Sequence, residues 1–345
     1  MSHASTRRSR VRASARARRP HSGVPSPPQL RLALVSTMAQ NAATLDSFVC
    51  YYLALGVAPL LLYVDDAADA ALRVARRYPP GRVVVRVRDA ALRREWRDLP
   101  SWARLELYAD SEVQARQQLN CEHAARAAAA AGADYLLHVD SDELLYFPRA
   151  AAGAGGAAAA LGAHLRALAA RGALQFTYRN LEAVPEAEEC ADALRAVSLF
   201  KQHPAELHAA PPSAGAAAAL RHWGDGDHHF RFYTNGKSLV ALRPPAGGAP
   251  GAPAPPAVVA SVHEWKLEGA QMAHGWTNNR QLKGSPYVPH QRAQWWEADG
   301  AVVLHFAVCS FSAFWAKRWA ALGYVGWRRP RSSHTCSRPA SRRSS

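Results

Sequence analysis

The stretch Leu136-Leu137-His138-Val139-Asp140-Ser141-Asp142-Glu143-Leu144-Leu145-Tyr146-Phe147 decides the fold. A short apolar run stops in Asp-x-Asp-Glu and then resumes. Such a run reads as a strand buried on both faces, as in a parallel sheet. Ligands of open α/β sheets bind beyond the carboxyl ends of the strands. Two carboxylates placed there repel each other unless a cation holds them. In an extended backbone residues i and i+2 share a side. Asp140 and Asp142 are therefore expected to face one metal ion together, with Ser141 turned away. Oxygen ligands suit Mg²⁺ or Mn²⁺, which draw their remaining ligands from water and substrate phosphates. The stretch points to an enzyme that handles a nucleoside diphosphate through a divalent ion.

Working outward, the flanking chain alternates between short apolar runs and helical segments. Upstream, residues 31–37, 59–64, 82–88 and 134–139 read as strands. Residues 42–55, 67–78 and 110–131 read as helices. Asn41 suits an N-cap and Gly56 a C′ residue for the first helix. Gly132 stops the third, whose face includes Val113, Gln117, Asn120 and Cys121. Strand and helix in alternation predict an α/β fold with a mixed, mostly parallel sheet flanked by helices. Downstream, residues 173–178, 197–201, 238–243, 258–264 and 302–306 are strand candidates, and 312–322 a closing helix. Segments 149–163, 205–220 and 244–257 are biased to Ala, Gly and Pro and read as loop inserts. The expected organisation is a domain over 30–327, with halves near 30–150 and 170–327, between basic tails at 1–29 and 328–345.

A chain of 345 residues with 49% hydrophobic content holds one large α/β domain or two small ones. Its net charge of +15 is unevenly spread. Arg7, Arg8, Arg10, Arg12, Arg16, Arg18 and Arg19 lie in residues 1–20 without an acid. Arg328, Arg329, Arg331, Arg338, Arg342 and Arg343 lie in 328–345, again without one. The body between them is close to neutral. A basic nucleic-acid-binding protein is thereby disfavoured, and no helix-turn-helix, zinc or RNP pattern supports it. The N-terminal tail has the composition of an organelle transit peptide, and equally that of a solvated arm. Five scattered cysteines without Cys-x-x-Cys argue against a zinc site or a disulfide framework. No apolar run reaches 18 residues, so no transmembrane helix is expected.

Several phrases, in order, carry a family resemblance. They are Phe48-Val49-Cys50-Tyr51-Tyr52-Leu53-Ala54-Leu55-Gly56-Val57, Leu62-Tyr63-Val64-Asp65-Asp66, and the helix with Gln114, Gln117, Gln118, Asn120 and His123. Then comes Gly132-Ala133-Asp134-Tyr135-Leu136-Leu137-His138-Val139-Asp140-Ser141-Asp142-Glu143. Further on stand Ser198-Leu199-Phe200-Lys201, Tyr233-Thr234-Asn235-Gly236-Lys237-Ser238, His263, His305 and Phe314-Trp315-Ala316-Lys317-Arg318. Over residues 31–325 the chain resembles GT-A glycosyltransferases of the family 92 and family 2-like group. It departs from them in the opening helix, where Asp46 stands near the family's Asn-Glu, and in the low-complexity inserts.

The resemblance implies a GT-A-like (Rossmann-like) fold and a metal-dependent sugar transfer from a nucleotide-diphosphate sugar to an acceptor hydroxyl, on a glycan, glycoprotein or other molecule. It implies Mn²⁺ or Mg²⁺ on Asp140 and Asp142, with His305, or less readily His263, as a third ligand. Asp140, Asp65, Asp66, Lys201 and Lys237 are implied donor contacts, although Asp65 or Asp66 also suits a helix N-cap. Glu143, Asp225, Asp227 and Glu264 are available as catalytic base, and Glu143 also suits holding the turn. His138 reads as structural. Relatives are typically Golgi membrane proteins, whereas the tail composition suggests a cytoplasmic, plastid or mitochondrial location. The competing enzyme class is the aspartate-nucleophile phosphohydrolases, where the first Asp attacks phosphorus. Those usually carry the motif on their first strand, followed by Thr or Val.

Overall fold

The structure is a computed structural model. It describes residues 29–39, 41–148, 156–171, 173–201, 236–243, 258–261, 264–266, 300–312 and 315. The elements in chain order are β1 (Leu32–Met38), α1 (Ala42–Leu55), β2 (Leu60–Val64), α2 (Ala71–Ala75), β3 (Val83–Val87), α3 (Ala90–Trp96) and α4 (Trp102–Leu105). After a 3₁₀ turn at Glu106–Tyr108 come α5 (Val113–Ala130), β4 (Tyr135–His138), β5 (Glu143–Tyr146), α6 (Gly156–Ala170), β6 (Gln175–Glu182) and α7 (Ala193–Ala196). The chain closes with β7 (Lys237–Ala241), β8 (Val258–Ser261), β9 (Glu264–Lys266) and β10 (Val302–His305).

Eight strands form one sheet in the order β3-β2-β1-β4-β7-β6-β10-β5. β3, β2, β1 and β4 run parallel, as do β6 and β10. β7 is antiparallel to both β4 and β6, and β5 is antiparallel to β10. This is the mixed, mostly parallel α/β sheet expected. Alternation along β1 sorts its side chains onto two cores. Leu32 and Leu34 pack with residues of α1, α2 and α6, while Ala33 and Val35 pack with α3 and α5. Helices thus cover both faces, as a parallel sheet buried on both sides requires.

Local signals explain α1. Gly56 ends it in the left-handed conformation (φ 92°), its N–H donating to the Leu53 carbonyl and the Val57 N–H to the Tyr52 carbonyl. Asn41 sits at the N-cap without a side-chain cap bond. Three expectations need correction. Residues 67–70 form turns held by Asp66 and Asp69, whose carboxylates accept the N–H groups of Ala68 and Ala71. α2 is accordingly short, because these local bonds compete with helix. The segment expected as a loop insert at 149–163 folds as α6 from Gly156 onward. Alanine is the strongest helix former, and Leu161, His164, Leu165 and Leu168 line one buried face. Residues 197–201 form only an isolated bridge between Phe200 and Ala183, not a strand.

The strand expected over 258–264 is a two-stranded pair, β8 with β9, separate from the main sheet. The expected inserts at 205–220 and 244–257, and all but the start of the closing helix, lie outside the described residues. Among the described residues no helix is long and apolar enough to cross a membrane.

Candidate active site at the carboxyl edge of the sheet

β1 is the point where the sheet turns: β2 and β3 lie to one side, β4 to the other. Crevices at such switch points, beyond the carboxyl ends, are where open α/β sheets bind ligands. Because β7 runs opposite to β4 and β6, its first residue, Lys237, arrives at this same edge. Glu182 ends β6 and His305 ends β10, and the two are register partners. The edge therefore gathers Asp65, Asp140, Asp142, Glu182, Lys237 and His305 from distant parts of the chain.

The Asp-x-Asp is not extended. β4 ends at His138, and Asp140 to Glu143 close a turn in which the Glu143 N–H donates to the Asp140 carbonyl at 3.1 Å. In return the Asp140 N–H donates to Glu143 Oε2 at 2.8 Å. The expectation that Asp140 and Asp142 share one side through a two-residue alternation is thus corrected. The Glu143 side chain wins over extended backbone by satisfying an otherwise buried N–H. Below the turn, the Tyr52 hydroxyl of α1 donates to the Glu143 carbonyl and accepts from the Leu145 N–H, both at 3.0 Å.

Both carboxylate oxygens of Asp140 are engaged. Oδ2 accepts from Lys237 Nζ at 2.6 Å, and Oδ1 from Gln117 Nε2 at 2.5 Å. Lys237 is only 1% exposed and also lies 3.5 Å from Glu143 Oε2. Burial works against the charged form of Asp140, but Lys237 and then His138 outweigh it and hold the acid below the usual carboxylate range. Glu143 behaves oppositely. It is completely buried, and burial, with Asp140 and Asp142 adding, pushes it up to about 8 against the pull of Lys237.

Asp142 is the more open member of the turn. Its carboxylate lies 3.8 Å from His305 Nε2, with side-chain exposures of 32% and 7%. The two are brought together by the antiparallel β5–β10 ladder, in which His305 is opposite Glu143, and by the Phe306 N–H donating to the Asp142 carbonyl at 2.8 Å. Among the described residues no group of three or more His, Cys, Asp or Glu gathers closely enough to hold a metal. Asp142 and His305 offer two donors. That number suffices for an ion which binds through one or two protein groups and completes its shell with water and phosphate oxygens.

α5 organises the other half of the edge through residues on consecutive turns. Arg116 grips Asp65 Oδ2 with Nε at 2.8 Å and Nη2 at 2.7 Å, Gln117 holds Asp140, and Asn120 donates to Thr37 Oγ1 at 2.9 Å. The ends of β2, β4 and β1 are thereby tied to one helix. Arg88 adds a bond from Nε to the Asp65 carbonyl at 3.2 Å. Arg93 bridges to Asp110 nearby. Asp65, expected to receive a nucleoside, pairs with Arg116, and Asp66, expected there too, accepts the Ala68 N–H.

Lys201, expected at a phosphate, is paired with Glu182 Oε2 at 2.8 Å beside His305. Lys237, also expected there, is buried against Asp140. Glu143, expected as a base, has no exposed surface through which an acceptor hydroxyl could reach it. Val113 is exposed, not part of the buried face of α5. Asp225, Asp227 and His263 lie outside the described residues, as do the side-chain contacts of Glu264. Sequence reading missed Arg116, Arg88, Tyr52 and Glu182. Arg116 and Tyr52 had visible signals, the first standing next to Gln117 on the helix that precedes the motif and the second within the phrase over 48–57.

No protein-family model and no curated protein sequence matches the chain. Solved structures that match include a mannose-1-phosphate geranyltransferase from Thermus thermophilus, at 17% identity, 62% of this chain and a TM-score of 0.27. Another is the galactosyltransferase LgtC in complex with donor and acceptor sugar analogues, at 13% identity, 61% of this chain and a TM-score of 0.21. The chain spans 58% of the length of each.

Proposed function

We propose that this chain transfers a sugar from a nucleotide-diphosphate sugar to an acceptor hydroxyl, with Mn²⁺ or Mg²⁺ at Asp142 and His305. The observation that carries the reading is the pairing of an accessible carboxylate with an imidazole, 3.8 Å apart, at the carboxyl edge of the sheet beside its switch point. A divalent ion bound there supplies positive charge to the diphosphate leaving group. The chain's own residues do the rest. Asp142 and His305 would hold that ion. Arg88, just after β3, and Arg116, on α5, converge on Asp65 at the end of β2 and set the polarity of the neighbouring crevice. The Glu143–Tyr52 contacts keep the turn from relaxing.

The acceptor is a glycan, a glycoprotein or another hydroxyl compound, and Asp225 and Asp227 are the proposed sources of its base. A phosphohydrolase reading would need Asp140 as nucleophile. Both of its oxygens are already engaged, one by a buried ammonium, which disfavours attack on phosphorus.

A donor screen with Mn²⁺ tests the proposal. Purified protein is expected to hydrolyse one nucleotide sugar slowly without acceptor, and Asp142→Ala to lower that rate about a hundredfold, in line with loss of one charge-stabilising group. Equal rates for the two proteins would refute the assignment.

A further inference from the structure

The carboxyl edge of β6 carries polar groups that the metal reading does not use. Glu182 ends this strand, and Lys201 is tied to it twice. The Lys201 N–H donates to the Glu182 carbonyl at 2.8 Å, and Lys201 Nζ donates to Glu182 Oε2 at 2.8 Å. The Val184 N–H donates to the Leu199 carbonyl at 2.8 Å, so main-chain bonds hold the two segments together on both sides of the Phe200–Ala183 bridge. The pair is fixed in place yet open to solvent, with side-chain exposures of 34% for Lys201 and 12% for Glu182.

An ammonium carries three donors, and a carboxylate has two acceptor oxygens. Among the described residues, their contact engages one of each. Glu182 Oε1 and the remaining Lys201 donors are left to an outside partner. Asn180 points the same way. It stands two residues before Glu182, on the same side of the strand. It is 3% exposed, and neither its Nδ2 nor its Oδ1 has a hydrogen-bond partner. A buried amide with neither atom bonded calls for a partner that the protein does not supply.

Amide, carboxylate and ammonium together offer acceptors and donors at short spacing. Neighbouring hydroxyls, each able to donate and accept, complement such a set. A second carboxylate does not, because Glu182 repels it. The set also has a telling place. Glu182 is the register partner of His305 on β10, and neighbouring strands lie about 4.8 Å apart.

Resting on the proposed metal-assisted transfer, we propose that Asn180, Glu182 and Lys201 form the subsite for the sugar of the donor, and that this sugar is neutral and carries adjacent free hydroxyls. Glu182 Oε1 accepts from one hydroxyl, Lys201 donates to its neighbour, and Asn180 takes the hydroxyl that reaches deepest. A uronic acid in the same place is rejected by Glu182. None of the three residues holds the ion.

Titration calorimetry with Mn²⁺ present, comparing UDP, UDP-glucose and UDP-glucuronate, tests this apart from turnover. The two sugar nucleotides differ only at C6 of the sugar. Wild type is expected to bind UDP-glucose about threefold tighter than UDP, and UDP-glucuronate about tenfold weaker than UDP-glucose. Glu182→Gln keeps the shape of the side chain and removes its charge, and is expected to bring the two sugar nucleotides within about threefold of each other. Asn180→Ala is expected to cancel the advantage of UDP-glucose over UDP. UDP carries no sugar and is the reference: its affinity, and the Mn²⁺ binding that accompanies it, should move less than about twofold in either variant. Circular dichroism checks that each variant is folded, and if neither is, the wild-type ranking decides. Equal affinity of wild type for the two sugar nucleotides would overturn the proposal. So would an unchanged ratio in folded Glu182→Gln, or an unchanged advantage in folded Asn180→Ala. Absence of UDP binding with Mn²⁺ would overturn both this subsite and the transfer reading, whereas the expected ranking without turnover of any nucleotide sugar would overturn the transfer alone.

Discussion

Glu143 and Asp142 are adjacent in sequence and opposite in circumstance, one without exposed surface and one about a third exposed. Burial raises Glu143 from an ordinary value of 4.5 to about 8, so the folded protein holds a proton that the unfolded chain releases. Between these values the native state binds more protons than the unfolded one, and stability falls as pH rises. The contribution is complete below pH 4.5 and is lost as pH rises through about 8. Asp140 is shifted the other way, so its contribution is lost only as pH falls into the acid range and does not overlap this window. In chelator-treated protein the thermal midpoint is expected to decline from about pH 5 to about pH 8, and Glu143→Gln, which keeps an acceptor for the Asp140 N–H, is expected to flatten that decline. Parallel midpoint curves for the two proteins would count against the assignment. At this scale the importance of Asp140 and Asp142 was legible from residue type and place. Their inequality was not, because it depends on a lysine 97 positions away and on a glutamate reaching back to a main-chain N–H.

Among the elements, β7 bears the closest steric constraint. Gly236 immediately before it cannot accept a side chain without displacing the Tyr178 carbonyl of β6. Gly236→Ala is expected to destabilise the fold by about 3 kcal/mol, the upper end for overpacking, in urea unfolding. Gly81→Ala, where a new Cβ meets nothing within 4 Å, should stay within about 0.5 kcal/mol of wild type. α1 could be read to its last residue, since Gly56 marks the stop and the apolar spacing marks the face. α6 could not, because a run of alanine and glycine looks like a linker until Leu161, Leu165 and Leu168 are counted on one side. The turns around Asp66 and Asp69 show the reverse error, where alanine content suggested helix and side-chain carboxylates captured the backbone first.

For the whole molecule, charge and fold are separate properties. Thirteen of the fifteen net positive charges lie in residues 1–20 and 328–345, away from the acid turn in sequence. Removing both segments is expected to abolish retention on heparin at physiological salt, where phosphate- and sulfate-like contacts are screened steeply, while leaving UDP-dependent Mn²⁺ binding within twofold. Loss of that binding on truncation would mean that the basic segments belong to the site. The α/β class was readable from the alternation of elements up to Val139. The strand order beyond it was not, since β7, β6, β10 and β5 pair out of sequence and nothing local records which edge a later strand will join.

The position of β7 has a bearing on how the protein is made. β4 has β1 on one side and β7 on the other, and β7 leaves the ribosome about a hundred residues after Asp140. At roughly 5–20 residues per second the nascent sheet waits about 5–20 s with β4 as an open edge, its apolar Tyr-Leu-Leu run able to pair with any passing strand. Through that interval Asp140 lacks the Lys237 ammonium. The insertion of β7 then closes the edge, dries the turn and neutralises the carboxylate in one event, and a chaperone that shields the β4 edge would be guarding the birth of the site as well as the solubility of the chain.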